Sequence, residues 1–536
     1  MAPWAGDNFG NVIRSIAAAV EPGRPALVHC SEVVDWQSFD QRTEAIARGL
    51  LAAGLRPGDA VGHQLRNGPA YMTAFVACTK AGLIPVNVNY HYRGAELADI
   101  LKRFEIRVVV QNSEFAEIVS DAMERGATVD HIFTVDGDDS FGSLANAADH
   151  HLPEIDATAR FYIATGGTTG MPKATIWQHG DAWAAFGLSM WPSPPGTPPT
   201  FAMSLQDHVA RAVAAPPPDD LLRTPLLMLS PLMHGAGLFS ALICLLRGGT
   251  LATMPGSRFD ADAAIDAIAD QGIMSASFVG DAFAVPLADA LEARPNAPHE
   301  IRTLRAITSS GASFSDAAKQ RLLAVNPRLV IIDALGSSES AGTAVAVTSA
   351  QGTSGAGFVA IPGRQVKIFD DQMTELLPGS EAYGILARSG PLPLGYLGED
   401  ELNARTFPTV DGVRYLMTGD RARITVDGRI EFAGRDNLCI NTGGEKVFPE
   451  EVEAVLQEHP SVRDVRVIGL PDPRFGRRVT AVVAVHGTPD EALLDAHCRT
   501  LLAGYKIPRR YFFTSESLRL NNGKPDYKAA ARIAGV

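Results

Sequence analysis

Residues 162–173 read Tyr-Ile-Ala-Thr-Gly-Gly-Thr-Thr-Gly-Met-Pro-Lys. The apolar run 161–164 has the composition of a strand. A loop of glycines and threonines follows, and Lys173 closes it. Such a loop can bind an anion. Gly166, Gly167 and Gly170 let backbone amides approach phosphate oxygens, Thr165, Thr168 and Thr169 add hydroxyl donors, and Lys173 adds positive charge. The spacing is not that of a Walker loop, which ends in adjacent Gly-Lys-Ser/Thr. Here Met171 and Pro172 separate Gly170 from Lys173, and Ala174 follows. A plain surface turn is the bland alternative, but this many donors beside glycines favour a phosphate cradle.

Other chemistry-bearing residues recur downstream. His234 sits in Ser230-Pro231-Leu232-Met233-His234-Gly235, and Ser309-Ser310-Gly311-Ala312-Ser313 forms a small polar loop. Asp333-Ala334-Leu335-Gly336-Ser337-Ser338-Glu339 carries two carboxylates, Thr418-Gly419-Asp420 another, and Gly434-Arg435 a cation. Near the end, Leu520-Asn521-Asn522-Gly523-Lys524-Pro525 places a lysine after glycine. Taken singly, each has an ordinary reading: a core histidine, an exposed turn acid, surface charges, a solvated tail lysine.

Taken in order, these strings resemble the signatures of the adenylate-forming superfamily: acyl-CoA synthetases, carrier-dependent adenylation domains and beetle luciferases. The family's loop is usually Thr-Ser-Gly-Thr-Thr-Gly-x-Pro-Lys-Gly; Gly166 replaces the serine and Ala174 the last glycine. The resemblance spans about residues 36–528 and implies ATP, Mg2+ and coenzyme A as ligands, with a carboxylic acid as substrate. It implies that residues 165–170 and Lys173 hold the ATP phosphates and that Gly311, Ala312, Ser313, Asp333, Leu335, Gly336 and Ser338 surround the nucleotide. Leu335 replaces the family's tyrosine, so adenine would pack on an aliphatic side chain. Glu339 and Thr168 would hold the metal ion, Asp420 the ribose hydroxyls, and Arg435 ribose and phosphate. Lys524 would reach the substrate carboxylate and the α-phosphate. His234 would gate the acyl pocket, lined also by Gly235, Gly237 and Gly280. Gly443 and Gly444 would line the thiol passage, and Asp436 and Asn437 occupy the hinge, where the family has Asp or Lys at the second position. The strings 165–173, 336–339 and 439–446 look most like actinobacterial fatty-acyl and steroid side-chain acyl-CoA synthetases.

Composition is ordinary for a soluble globular protein. The chain has 536 residues, enough for at least two domains, with 46% hydrophobic and 20% charged residues. A net charge of −13 argues against non-specific nucleic-acid binding. Five scattered cysteines without a Cys-x-x-Cys pair fit reduced thiols in a cytoplasmic protein, and residues 1–24 lack a signal-peptide pattern. Residues 226–246 are nearly all apolar, but Ser230-Pro231 and His234-Gly235 interrupt them, which fits a buried strand, a turn and a helix better than a membrane span. Homodimerisation is left open.

The elements that must position these residues follow from pattern. Residues 71–81 and 94–103 read as helices, 83–88 and 108–111 as strands, an alternation that predicts parallel α/β layers. Proline-rich 190–200 and 214–220 read as irregular, and 259–272 as an amphipathic helix. A hairpin turning at Asp427-Gly428 precedes a helix begun by Pro449, then strands at 465–470 and 480–485. The expected architecture is α/β: a large N-terminal domain, 1–434, of layered mixed or parallel sheets with helices, and a small mobile α+β domain, 435–536. Within the latter, Arg474, Arg477, Arg478, Lys506, Arg509 and Arg510 form the densest basic set, some of which are candidates for coenzyme A phosphates, with a solvated basic face as the other reading. Small residues around His234 (Ala236, Ser240 and Ala241 besides the glycines) favour a long or bulky apolar acid, with tight helix packing as the other reading. Competing functions are loading of a separate phosphopantetheinyl carrier, a non-catalytic nucleotide-binding relative, or a luciferase-like oxidase. A serine hydrolase lacks support, because no Gly-x-Ser-x-Gly elbow is present.

Overall fold

The structure is a computed structural model that describes residues 7–146, 150–165, 172–190, 204–214, 220, 224–256, 258–312, 314–353, 357–435, 438, 440–442, 445–472, 476–488, 490–502, 504–520 and 523–536. Two sheets dominate the large N-terminal part. One has seven described strands, ordered Gly395–Tyr396, Lys173–Gln178, Arg160–Thr165, Ile84–Asn87, Ala60–Gln64, Ile106–Gln111 and His131–Thr134. Pairing is parallel from Arg160–Thr165 through His131–Thr134 and antiparallel at the other edge. The second has ten described strands around a parallel centre: Val330–Leu335, Ala306–Ser310, Ser275–Phe278, Leu226–Met228, Leu251–Thr253 and Pro25–His29. Val108, Val109 and Val110 are all buried, as expected of a parallel strand covered on both faces.

Helices fill three layers around these sheets. The largest core lies between the sheets, where Phe9, Trp36, Phe75 and Leu242 from helices meet Phe161 and Trp177 from one sheet and Leu251 and Met228 from the other. On the far side of the first sheet, Leu97 and Ile100 cover Val86 and Val109. On the far side of the second, Ile265, Leu287 and Leu322 cover Ala276 and Ile331. The result is a helix–sheet–helix–sheet–helix stack, in which outer helices such as Gly94–Arg103 and Ala261–Asp270 bury one apolar stripe and the middle helix Pro69–Ala81 is buried all round.

Residues 226–246 fold as their interruptions predict. Strand Leu226–Met228 leads through a turn to helix Gly235–Leu246, and Gly248 ends it in a left-handed conformation at φ 69°. No helix among the described residues is long and apolar enough to cross a membrane. Helix Gly94–Arg103 has the bounds its pattern predicts, and helix Ala261–Asp270 lies within the expected 259–272. Helix Leu205–Val213, between the two proline-rich stretches, is an element the sequence reading passed over. Its signal was a capping box of Ser204 and Asp207.

Beyond the stacked layers, an antiparallel sheet of five described strands ends in the Leu416–Ile424/Ile430–Arg435 hairpin. A smaller C-terminal unit follows with its own core of Val452, Leu456, Val465, Val467, Val479 and Val483. Its sheet pairs Val462–Asp472 with Gly476–Val485, and helices Pro449–Gln457 and Glu491–Leu501 pack on it.

Candidate active site

Strands Ser275–Phe278, Ala306–Ser310 and Val330–Leu335 are parallel neighbours, so their carboxyl ends open on one edge. In such sheets ligands bind outside that edge. A cleft of about 3190 Å³ lies there, lined by Gly311, Ala312, Asp333, Leu335, Gly336 and Ser338, and also by Lys173, His234, Gly235, Glu339, Asp420 and Lys524. Residues read from distant parts of the sequence are thereby gathered in one place.

The loop expected to hold phosphates closes a hairpin. Strand Arg160–Thr165 pairs antiparallel with Lys173–Gln178, with Thr165 opposite Lys173. The loop's rim is therefore fixed by a ladder, while Gly166, Gly167, Thr168, Thr169 and Gly170 lie outside the described residues. Ser313, Asp436, Asn437, Gly443 and Gly444 also lie outside them.

Glu339 is buried at the cleft wall, and the Tyr396 hydroxyl donates to its Oε1 at 2.8 Å. The backbone before it is pinned by Trp177, whose indole N–H donates to the Ser338 carbonyl at 2.9 Å. Gly235 packs directly on this loop: a Cβ there would come within 2.8 Å of Ser338 Oγ. Sequence reasoning missed Tyr396; its two-residue strand Gly395–Tyr396 carries no pattern of its own. A single carboxylate fits Mg2+, which commonly takes one or two carboxylates and completes its shell with nucleotide phosphates and water.

Asp420 is buried on strand Leu416–Ile424, where the Thr418 hydroxyl donates to Oδ2 at 2.5 Å. Its register partner is Arg435, so the two backbones lie side by side. Asp333 receives the Lys319 ammonium at 3.2 Å, and burial, against that cation, pushes its carboxyl above the usual range. His234 precedes helix Gly235–Leu246 and lines the cleft. Burial first, then the positive charges of Lys524 and His91, push its imidazole down to about 3, so it is neutral near pH 7.

Lys524 comes from the C-terminal unit. Gly523, at φ 80°, rests on helix Asp281–Ala293 of the large part; a Cβ would lie 2.7 Å from the Ala282 Cβ. Arg519 holds this loop: its Nη1 donates to the Gly523 carbonyl at 3.2 Å, and its Nε meets Asp464 Oδ2 at 2.9 Å. The Arg519 charge also acts on buried Asp281 across the junction. Lys506 and Tyr505 reach the cleft as well, with Lys506 paired to Glu451.

Some expected site residues fall elsewhere. Gly237 packs against the Pro231 carbonyl inside its own turn, not on the cleft. Gly280 is the N-cap of helix Asp281–Ala293 and donates its N–H to Ser309 Oγ at 2.9 Å, supporting the site from behind. Arg477 is exposed, and Arg478 faces Asp472 at 4.0 Å; both lie on strand Gly476–Val485, away from the cleft lining.

Known proteins resemble this chain over nearly its whole length. The family described as AMP-binding enzyme matches residues 15–397, and the AMP-binding enzyme C-terminal domain matches 451–524. A medium/long-chain-fatty-acid–CoA/3-oxocholest-4-en-26-oate–CoA ligase of Mycolicibacterium smegmatis is 36% identical over 533 residues, covering 96% of this chain and 94% of that protein. A 3-oxocholest-4-en-26-oate–CoA ligase of Rhodococcus rhodochrous is 33% identical, covering 96% and 94%. Among solved structures, the anthranilate CoA ligase AuaEII with anthranoyl-AMP superposes with a TM-score of 0.82 at 21% identity, covering 99% of this chain and 98% of that one. ATP-bound MatB from Rhodopseudomonas palustris superposes at 0.80 and 24% identity, covering 98% of each. With its cleft, its two-part layout and these matches along nearly its whole length, the chain belongs to the AMP-binding enzyme family.

Proposed function

We propose that the protein is an AMP-forming acyl-CoA ligase for a long or bulky apolar carboxylic acid, of the fatty-acid or steroid side-chain kind that its relatives' names describe. The observation that carries the reading is the meeting of Lys524, from the C-terminal unit, with Glu339, Asp420 and His234 in one cleft. A carboxylate is a poor acylating agent because oxide would have to leave. Attack of its oxygen on the α-phosphorus of ATP expels pyrophosphate and gives an acyl-adenylate. The coenzyme A thiolate then attacks the acyl carbon and AMP departs.

Catalysis here is mostly positioning and charge neutralisation. Lys524 brings a cation to the carboxylate and α-phosphate. Lys173 and the loop it closes take the β- and γ-phosphates. Asp420 accepts the ribose hydroxyls, and Arg435, beside it on the ladder, contacts ribose and phosphate. Glu339 would hold Mg2+, which would offset phosphate charge. His234, being neutral, walls the acyl entrance without competing for the carboxylate. The contact of Gly523 with Ala282 suits the first half-reaction, since it keeps Lys524 in the cleft. Rotation of the segment from residue 435 onward, about Asp436 and Asn437, withdraws Lys524 and brings Gly443 and Gly444 to the thiol path.

Carboxylate-dependent ATP–pyrophosphate exchange tests the reading across short, long, aromatic and fused-ring acids, followed by thioester formation with coenzyme A. Exchange with no acid class refutes it. Transfer only to a phosphopantetheinyl carrier replaces the acceptor. Lys524→Ala is expected to lower exchange by at least about a hundredfold while thioester formation from preformed acyl-adenylate falls little. Equal losses in both steps would remove Lys524 from its role.

A further inference from the structure

The cleft does not end at His234. It continues along one face of helix Gly235–Leu246, where Ala236, Phe239, Ser240, Ile243, Cys244 and then Arg247 recur at three- and four-residue steps. From Ala236 to Arg247 this stripe extends about 16 Å. The helix links strand Leu226–Met228 to its parallel neighbour Leu251–Thr253, so it must travel back from the carboxyl edge of the sheet to the amino edge. The channel therefore starts at the reacting atoms and finishes under the amino ends of the strands.

Its walls are apolar and its far end is not. Phe239, Cys244 and Leu226 are buried along it. At the far end lie Arg24, just before strand Pro25–His29, Thr250, just before Leu251–Thr253, and Ser275, the first residue of Ser275–Phe278. Arg247 is buried there and paired with buried Asp220. Among the described residues, no carboxylate or carbonyl holds the Arg24 guanidinium. It is half-buried and near enough to Cys244 to feel its charge state. Among the described residues lining this end of an otherwise greasy channel, cations outnumber carboxylates.

A cation facing a channel that fills with hydrocarbon loses water and gains nothing. An acid ending in a methyl group imposes that loss; one ending in an oxygen acceptor reverses it. A site built to hydrogen-bond a substrate oxygen also discriminates far more sharply than an apolar one. We propose that the distal end of this channel reads an oxygen remote from the reacting carboxylate, with Arg24 as the specificity-determining donor and Arg247, steadied by Asp220, beside it. The substrate class is a long or fused-ring apolar acid carrying a far-end ketone, hydroxyl or second carboxylate. This rests on the ligase reading above and narrows it.

The test compares kcat/KM for acyl-CoA formation by the full-length protein. The probes are a long-chain acid, its terminal-hydroxyl and terminal-carboxyl counterparts, and a fused-ring acid with and without a ring ketone. At least one oxygenated member is expected to exceed its plain partner by about tenfold or more, as a hydrogen bond to a charged group warrants. Which member wins names the oxygen. Arg24→Leu is expected to erase the preference by lowering the rate on the oxygenated acid and raising that on the plain acid, which no longer strips water from a cation, and Arg24→Lys to restore part of the preference. The rate on the plain acid shows that the variant folds. Equal kcat/KM for plain and oxygenated acids, or a preference that survives Arg24→Leu, overturns the inference but leaves the ligase standing. No thioester from any probe overturns both.

Discussion

Glu339 accepts the Tyr396 hydroxyl on one carboxylate oxygen at 2.8 Å, which leaves Oε2 for the Mg2+ ion of the proposed reaction. The hydroxyl fixes the carboxylate's rotamer and bears part of its charge, as second-layer partners of metal ligands do. Tyr396→Phe removes only that oxygen from a buried ring. The Mg2+ concentration needed for half-maximal pyrophosphate exchange is expected to rise about tenfold, with saturated rate changed less. An unaltered magnesium titration would reduce Tyr396 to packing. Nothing in the sequence near Tyr396 announces this role, because its partner lies 57 residues away and is met only after folding. Glu339, Asp420 and Lys524 were legible for a different reason. They sit in short strings whose order along the chain resembles one superfamily, and folding brings those strings to one cleft.

At the scale of elements, Arg519, Leu520 and residues 523–526 act as a docking point. The Leu520 N–H donates to the Lys524 carbonyl at 2.8 Å, the Gly523 N–H donates to the Leu520 carbonyl at 2.9 Å, and Arg519 ties these residues to Asp464. Gly523 then touches helix Asp281–Ala293. A methyl group there meets Ala282 and strains a backbone at φ 80°. Gly523→Ala is therefore expected to slow adenylation about tenfold or more, while leaving thioester formation from preformed acyl-adenylate near its normal rate. Comparable slowing of both steps would mean that the contact does not belong to one half-reaction. Elements with strong local rules were readable beforehand: helix Gly94–Arg103 has Leu97, Ile100 and Leu101 on one face and basic Lys102 and Arg103 in its last turn. Helix Leu205–Val213 was not, since the prolines around it masked a short amphipathic stretch. The antiparallel sheet before residue 435 was only partly readable, because strands such as Glu375–Leu376 are too short to show a period.

At the scale of the molecule, the stacked layers bury ionisable groups that water would otherwise charge. His63, His179 and His208 are fully buried, and burial pushes His63 and His179 down to about 3 and His208 to about 4, as it does His234. Near pH 7 these rings are neutral whether the chain is folded or not, so they contribute no pH dependence. Below about 6.5 the unfolded chain takes up protons that the folded chain refuses, and stability falls with pH. Each such histidine costs up to about 1.4 kcal/mol per pH unit in that window, and the loss stops only as pH nears the folded values. Buried acids pushed upward, such as Glu453 at about 7, act in the opposite sense as pH rises above their ordinary range. The histidines sit in the large part, with His63 on a central strand and His179 stacked on Phe9 at 4.4 Å, so acid should attack the sandwich first. Urea midpoints followed by tryptophan fluorescence, which reports Trp36, Trp177 and Trp183 of that part, are expected to drop between pH 6.5 and 5 by an amount that His63→Gln or His179→Gln reduces. A midpoint that stays level across that interval would show that these rings find protons or partners in the folded state.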